Sequence, residues 1–209
     1  MRILLVDDHA IVRHGLATLL REALPGAEFG EAADAAAGLE ALAYQNWDLA
    51  IVDIALPGRT GLDLLADLRA ARIPVPVLIV SAHAEQDYAI RALKLGAVGY
   101  VCKQSAADTL VTAVGRALAG GRYISPTLAE RLAGTLSGGV HEASHETLSN
   151  RELQVLRLIA VGLTLKEIGV KLSLSEKTIA TYRSRITEKM GFASNVELTR
   201  YALKHGLVD

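Results

Sequence analysis

Four polar positions follow short apolar runs: Asp7-Asp8 after residues 3–6, Asp53 after 49–52, Ser81 after 75–80 and Lys103 after 98–102. Together they offer three carboxylates, one hydroxyl and one ammonium. That set suits binding a divalent cation and accepting a phosphoryl group on an aspartate. A carboxylate that attacks a phosphoryl group meets like-charge repulsion, so its site must supply positive charge. Mg²⁺ does this well, because it prefers one or two carboxylates plus water and phosphate oxygens in octahedral array. Taken singly, each residue has a plainer reading. Asp7-Asp8 cap a helix and Lys103 is a solvated cation at a strand end. The chemical reading rests on all of them sharing one edge.

Short apolar runs separated by helical patterns place them there, as parallel strands in βαβ units. In such a sheet the carboxyl ends of the strands form the ligand crevice. The patterning predicts strands near 2–6, 27–31, 48–53, 75–80 and 98–101, with helices near 10–23, 34–45, 60–71, 85–95 and 105–119. Leu56-Pro57-Gly58 breaks the chain after the third strand, and Ile73-Pro74 stops the third helix. Five β/α units make a doubly wound α/β sheet. Residues 122–146 hold Ser125-Pro126, Gly134 and Ser137-Gly138-Gly139 without a sustained apolar period, and read as a linker with a short helix over 128–136. Ser149-x-x-Glu152, Thr164-x-x-Glu167 and Ser194-x-x-Glu197 then match the capping box, and Ser175 precedes a fourth helix. Residues 147–209 are therefore expected to form a small all-α domain of four helices. Its second and third helices are joined by the tight turn of a helix-turn-helix.

Composition narrows the class. The chain has 209 residues, 51% hydrophobic and 4% aromatic, enough for one large or two small globular domains. No apolar stretch reaches the roughly 18 residues a membrane span needs. Met1-Arg2 followed at once by a strand and two aspartates is too short and acidic a start for a signal peptide. A single cysteine excludes an internal disulfide framework and fits a reducing cytoplasm. In a strand, Cys102 is expected to be a small core hydrophobe, and His9 and His14 lack partners at metal-ligand spacing. Net charge is −1 overall, but residues 1–121 hold 10 Lys and Arg against 14 Asp and Glu, whereas 122–209 hold 12 against 9. An acidic first domain (1–121) joined to a nucleic-acid-facing second one (147–209) fits that asymmetry.

Residues 1–119 resemble a two-component receiver domain through Asp7-Asp8, Asp53, Leu56-Pro57-Gly58, Ser81-Ala82 and Gly99-Tyr100-Val101-Cys102-Lys103. Residues 147–207 resemble the LuxR-type helix-turn-helix through Leu148-Ser149-x-Arg151-Glu152-x-x-Val155-Leu156, Lys166-Glu167-Ile168 and Leu174-Ser175-x-Lys177-Thr178-Ile179. In this order the two resemble a NarL/FixJ-class response regulator. Within the second motif, Leu165 stands where the family usually has a polar residue, and Gly169 replaces the usual alanine at the corner. The resemblance implies the flavodoxin-like strand order 2-1-3-4-5. It implies Asp53 as phosphoacceptor, with Mg²⁺ held by Asp8 and Asp53 directly, by Asp7 through water and by the Ala55 backbone carbonyl. It also implies that Lys103 pairs with the phosphoryl group, that Ser81 donates to it, and that Tyr100 turns inward as Ser81 moves. A dimer through the last helix, along Val196, Thr199, Ala202 and Leu203, follows from the same likeness.

On a helical wheel Ile179, Tyr182, Ile186 and Met190 share an inward face, while Lys177, Ala180, Thr181 and Ser184 lie opposite, flanked by Arg183 and Arg185. Small groups toward base edges and cations toward phosphates are what a recognition helix needs. An ordinary amphipathic surface helix is the plainer alternative. The candidate DNA-contacting set is Lys177, Thr178, Ala180, Thr181, Arg183, Ser184, Arg185 and Lys189. The expected function is a phosphorylation-controlled, DNA-binding transcriptional regulator, not an enzyme. Its expected partners are a sensor histidine kinase, promoter DNA and a second copy of the chain, with no membrane. Two other classes remain. An aspartate-nucleophile phosphohydrolase usually carries a second acid two positions on, where this chain has Ala55. The other is a receiver that signals through protein contacts alone.

Overall fold

In the computed structural model, residues 1–82, 85–105, 107–136 and 145–208 are described. The chain divides into two units, Met1–Gly138 and Gly139–Asp209.

The first unit alternates strands and helices: β1 (Arg2–Val6), α1 (Ala10–Ala23), β2 (Glu28–Ala32), α2 (Ala35–Tyr44), β3 (Leu49–Val52), α3 (Gly61–Ala70), β4 (Val77–Ser81), α4 (Glu85–Leu95), β5 (Gly99–Cys102), α5 (Ala107–Leu118) and α6 (Pro126–Leu136). The strands form one parallel sheet in the order β2-β1-β3-β4-β5. β3 and β4 are buried along their whole length, as strands covered on both faces must be, and their sequences are accordingly continuous apolar runs. Alternation sorts the faces. Ile3, Leu5, Ile51, Leu78 and Val80 pack with Ala17 and Leu20 of α1 and with Leu110, Ala113 and Val114 of α5. On the other face Gly38 of α2 lies so close to Val6 and Leu64 that an added Cβ would sit 3.1 and 3.2 Å from their side chains. Each fully buried leucine or isoleucine contributes about 1.5–3 kcal/mol.

The segment expected to be linker begins as part of this unit. The Tyr123 amide donates to the Val98 carbonyl at 2.8 Å, laying the chain beside β5. Ser125 Oγ accepts from the Leu128 amide at 3.1 Å and donates to Glu85 Oε2 of α4 at 2.6 Å. Leu128 is buried, and α6 packs on α4. The helix therefore starts two residues before the expected 128. The reason is local: serine is a good N-cap, and proline at the first helical position loses only an amide that would have no helical partner.

The described residues of the second unit form a short 3₁₀ turn (His145–Thr147) and four helices: α7 (Asn150–Ala160), α8 (Leu165–Leu172), α9 (Glu176–Met190) and α10 (Asn195–Lys204). Ser149–Glu152 and Thr164–Glu167 form reciprocal capping boxes. Ser194 accepts from the Glu197 amide, but the Glu197 carboxylate takes the Ala193 amide, one residue earlier than a box requires. Leu153, Leu156, Ile168, Ile179, Ile186 and Leu198 form the core.

Between α8 and α9, Ser173 takes the left-handed conformation (φ 54°) and the Leu174 amide donates to the Gly169 carbonyl at 2.8 Å. A Cβ on Gly169 would lie 2.7 Å from the Leu174 carbonyl oxygen. The departure from alanine at this corner matches a turn closed too tightly for a methyl group.

Candidate functional site

The sheet register brings the polar residues together. Val6 pairs with Val52, Val52 with Ile79, and Ser81 with Cys102, so all four strands end within two residues of one another along the ladder. The ladder runs one residue further. The Asp53 amide donates to the Val6 carbonyl at 2.8 Å, and the Lys103 amide to the Ser81 carbonyl at 2.7 Å. These bonds fix both backbones before any side chain acts. Asp7 and Asp53 are 2% and 3% exposed, Ser81 is fully buried, and Asp8 stands out toward solvent.

Lys103 Nζ bridges the two buried aspartates, 2.5 Å from Asp7 Oδ2 and 2.7 Å from Asp53 Oδ2. Burial is the largest single influence on this ammonium and would lower its pKa. The hydrogen bonds and negative charges of Asp53 and Asp7 outweigh it and hold the group above the ordinary lysine value. Lys103 therefore stays charged, which the two carboxylates require. The second oxygen of Asp7 accepts the His9 amide at 2.9 Å. The second oxygen of Asp53, Oδ1, is buried and has no hydrogen-bond partner among the described residues. An orphaned carboxylate oxygen in the interior is costly, and a hard cation bound beside it would remove that cost. The donor set of Asp7, Asp8 and Asp53 thus fits Mg²⁺.

His9, which the sequence left without a metal-ligand partner, and the start of α3 at Thr60-Gly61, which was not singled out, both adjoin the site. His9 Nδ1 lies 2.7 Å from Asp8 Oδ1 and 3.4 Å from Asp7 Oδ1, so the imidazole sits at the rim of the acidic cluster. Thr60 and Gly61 start α3 directly against Asp53. Thr60 and Asp63 make a capping box, and a Cβ on Gly61 would lie 2.0 Å from the Asp53 carbonyl oxygen. The Thr60-x-x-Asp63 spacing is the signal that reveals this helix start. Ala55 is half-buried in the loop between β3 and α3, and Tyr100 is buried in β5 beside Ile79. Cys102 is a free, half-buried thiol.

In the second unit α9 presents Lys177, Ala180, Thr181, Ser184 and Arg185 to solvent and buries Ile179, Ile186 and Met190, with Tyr182 half-buried. Ser175 caps the helix through the Thr178 amide at 3.1 Å, and the Thr178 hydroxyl lies 2.7 Å from the Ser175 hydroxyl. Two expected phosphate-facing cations have protein partners. Arg183 Nε donates to Asn195 Oδ1 at 2.6 Å. Lys189 Nζ lies 2.6 Å from Glu152 Oε2, whose side chain is 3% exposed. Burial is the largest influence on Glu152 and would raise its pKa. The Lys189 hydrogen bond, those of Ser149 and the Lys189 charge outweigh it and hold the carboxyl below its ordinary value. Lys189, 41% exposed at the side chain, is thus paired with a buried carboxylate. On α10, Val196 and Leu203 are exposed and Thr199 half-buried, whereas Ala202, expected in the same stripe, is buried in the bundle.

Comparison with known proteins accounts for both units. Residues 3–115 match the response regulator receiver domain, and residues 146–202 match the luxR family of bacterial regulatory proteins. The chain is 35% identical to the response regulator GacA of Pseudomonas aeruginosa over 211 residues, covering all of this chain and 98% of that one. It is 31% identical to the response regulator UvrY of Escherichia coli K12, over all of this chain and 96% of that one. Among solved structures it resembles RcsB of Salmonella enterica serovar Typhimurium, there bound to promoter rprA with phosphomimetic BeF₃⁻. That match has a TM-score of 0.61 at 26% identity, covering 96% of this chain and 98% of that one. No helix among the described residues is long and apolar enough to cross a membrane.

Proposed function

Because the chain belongs to the NarL/FixJ-class response regulators, which join a receiver to a LuxR-type DNA-binding domain, we propose that Asp53 is the phosphoryl acceptor that controls its binding to promoter DNA. The observation that carries this reading is the buried Asp53 carboxylate, with one oxygen on Lys103 and the other unpartnered. The donor is a phosphohistidine of a sensor kinase.

Asp8 and Asp53 would hold Mg²⁺, with Asp7 acting through water and Ala55 through its backbone carbonyl. When bound, the ion neutralises charge on the transferred phosphoryl oxygens. Asp53 attacks phosphorus through the carboxylate oxygen that does not face the ion. The new O–P bond forms as the P–N bond of the phosphohistidine breaks, and the leaving imidazole keeps the electron pair. Lys103, already on Asp53 Oδ2, pairs with a phosphoryl oxygen, and Ser81 donates to another. Tyr100, packed in β5, takes the space that Ser81 vacates. The Ala55 side chain offers no carboxylate to activate a water against the acyl phosphate, so the modified aspartate persists as a signal.

In the second unit, Lys177, Arg183 and Arg185 contact phosphates, and Thr178, Ala180, Thr181 and Ser184 face base edges. Lys189 drops out of this set because Glu152 holds it. One bundle covers about 600–1,000 Å², a single-module footprint, so phosphorylation favours a homodimer through the exposed Val196 and Leu203 of α10. Kinase and promoter together place the working chain in the cytoplasm. The test is labelling with a small acyl-phosphate donor and Mg²⁺, read by intact mass. One phosphoryl group is expected, lost in Asp53→Asn and on chelation. Equal labelling of Asp53→Asn contradicts the assignment.

A further inference from the structure

We propose that Asn195, outside the recognition helix, is a positioning residue for DNA binding that aims Arg183 at the phosphate backbone. The inference rests on the reading of Arg183 as a phosphate contact and deepens it. A guanidinium has no acceptor, so the group 2.6 Å from Arg183 Nε must be the amide oxygen of Asn195 and not its nitrogen. With Nε occupied, both terminal nitrogens stay available, and their parallel N–H groups match a phosphate bidentately.

The surroundings leave Asn195 free for this task. It is the first residue of α10, but Ser194 caps that helix and Glu197 turns back to the Ala193 amide, so the Asn195 side chain takes no part in the cap. Asn195 is exposed and Arg183 half-buried, so the bond restrains a long side chain at the surface without supporting the core. Lys177 and Arg185, the other two cations assigned to phosphates, have no hydrogen-bonded side-chain anchor of this kind among the described residues. Of these three cations, Arg183 is the one pre-set among the described residues. A side chain ordered in advance loses less freedom on binding, an effect of roughly 2- to 10-fold in affinity for one long side chain.

The experiment measures binding of the full chain to a mixed-sequence duplex by fluorescence anisotropy across a salt series, for wild type, Asn195→Ala, Arg183→Ala and the double variant. Mixed sequence is the right probe because the phosphate term is independent of sequence. Arg183→Ala is expected to lower the slope of log affinity against log salt by about one unit. Asn195→Ala is expected to weaken binding roughly 2- to 10-fold at unchanged thermal midpoint, and to cost nothing further once Arg183 is alanine. If Asn195→Ala weakens both backgrounds equally, or has no effect while Arg183→Ala lowers the slope, positioning is overturned and the phosphate contact stands. If Arg183→Ala changes neither affinity nor slope, the phosphate contact itself is wrong and the proposal falls with it.

Discussion

Replacing Lys103 by methionine isolates the charge balance of the acidic edge. Its ammonium touches Asp7 and Asp53, each 3% exposed at the side chain, while its own side chain is 17% exposed. Removing one partner from a fully buried ion pair costs about 3–5 kcal/mol. The residual exposure lets water reach part of the vacated space, so about 2–3 kcal/mol is the expected loss. With a urea m-value near 1.5 kcal/mol/M for a domain of this size, the midpoint falls by roughly 1.5 M. Trp47 is the only tryptophan, its indole N–H bonded to the Ala41 carbonyl at 2.9 Å and its ring under Arg2, so its emission follows this unit alone. The folded pKa of Lys103 is raised, so its contribution is complete below the ordinary lysine value of 10.5 and is lost as pH rises through the raised value. The gap between wild type and variant should therefore be flat across neutral pH and close only in strong alkali. Mg²⁺ supplies replacement positive charge, so saturating ion should stabilise the variant more than the wild type. A midpoint unchanged in metal-free buffer, or a loss that Mg²⁺ leaves intact, refutes the reasoning.

Acid should act on the second unit through Glu152. Its folded pKa lies below the ordinary 4.5, so its stabilisation is present above 4.5 and lost as pH falls through the depressed value. Amide exchange in α7 and α9 should rise across that interval, and Lys189→Met should cost about 1–2 kcal/mol at neutral pH while leaving the salt slope of DNA binding unchanged. Gly61→Ala puts a methyl group into the Asp53 carbonyl and should cost about 1–3 kcal/mol or more by urea unfolding, with Asp53 labelling slowed even where the unit stays folded. Lys177→Ala should weaken all DNA sequences alike and lower the salt slope by about one unit, whereas Thr181→Ala should change which sites are preferred at nearly constant slope. The reverse pattern in matched salt titrations would turn α9 around.

Much of this was legible because local and global signals agree. The runs ending at Val6, Val52, Ser81 and Cys102 are apolar because both sheet faces are covered, and the residue at or just after each end carries the chemistry. Capping boxes at Ser149 and Thr164 mark the starts of α7 and α8 independently of packing. What was less legible depends on contacts distant in sequence. Lys189 looks like a surface cation until Glu152, 37 residues earlier, is brought beside it. Arg183 gains its partner from the next helix in the same way. Ser125-Pro126 reads as a chain breaker by composition, yet the same pair is a helix start when a hydrophobic residue such as Leu128 finds a surface to cover.

The docking of α6 on α4 decides where this chain can be cut and rejoined. A chimera that transplanted its receiver onto a foreign output domain at residue 121 would discard Tyr123, Ser125 and Leu128. It would strip the edge of β5, remove the hydroxyl that Glu85 accepts from, and open the apolar surface that Leu128 covers. The graft would carry every residue of the acidic edge and leave the α6-covered face of α4 bare. The first compact unit runs to Gly138, so a seam that keeps α6 in place lies after Leu136.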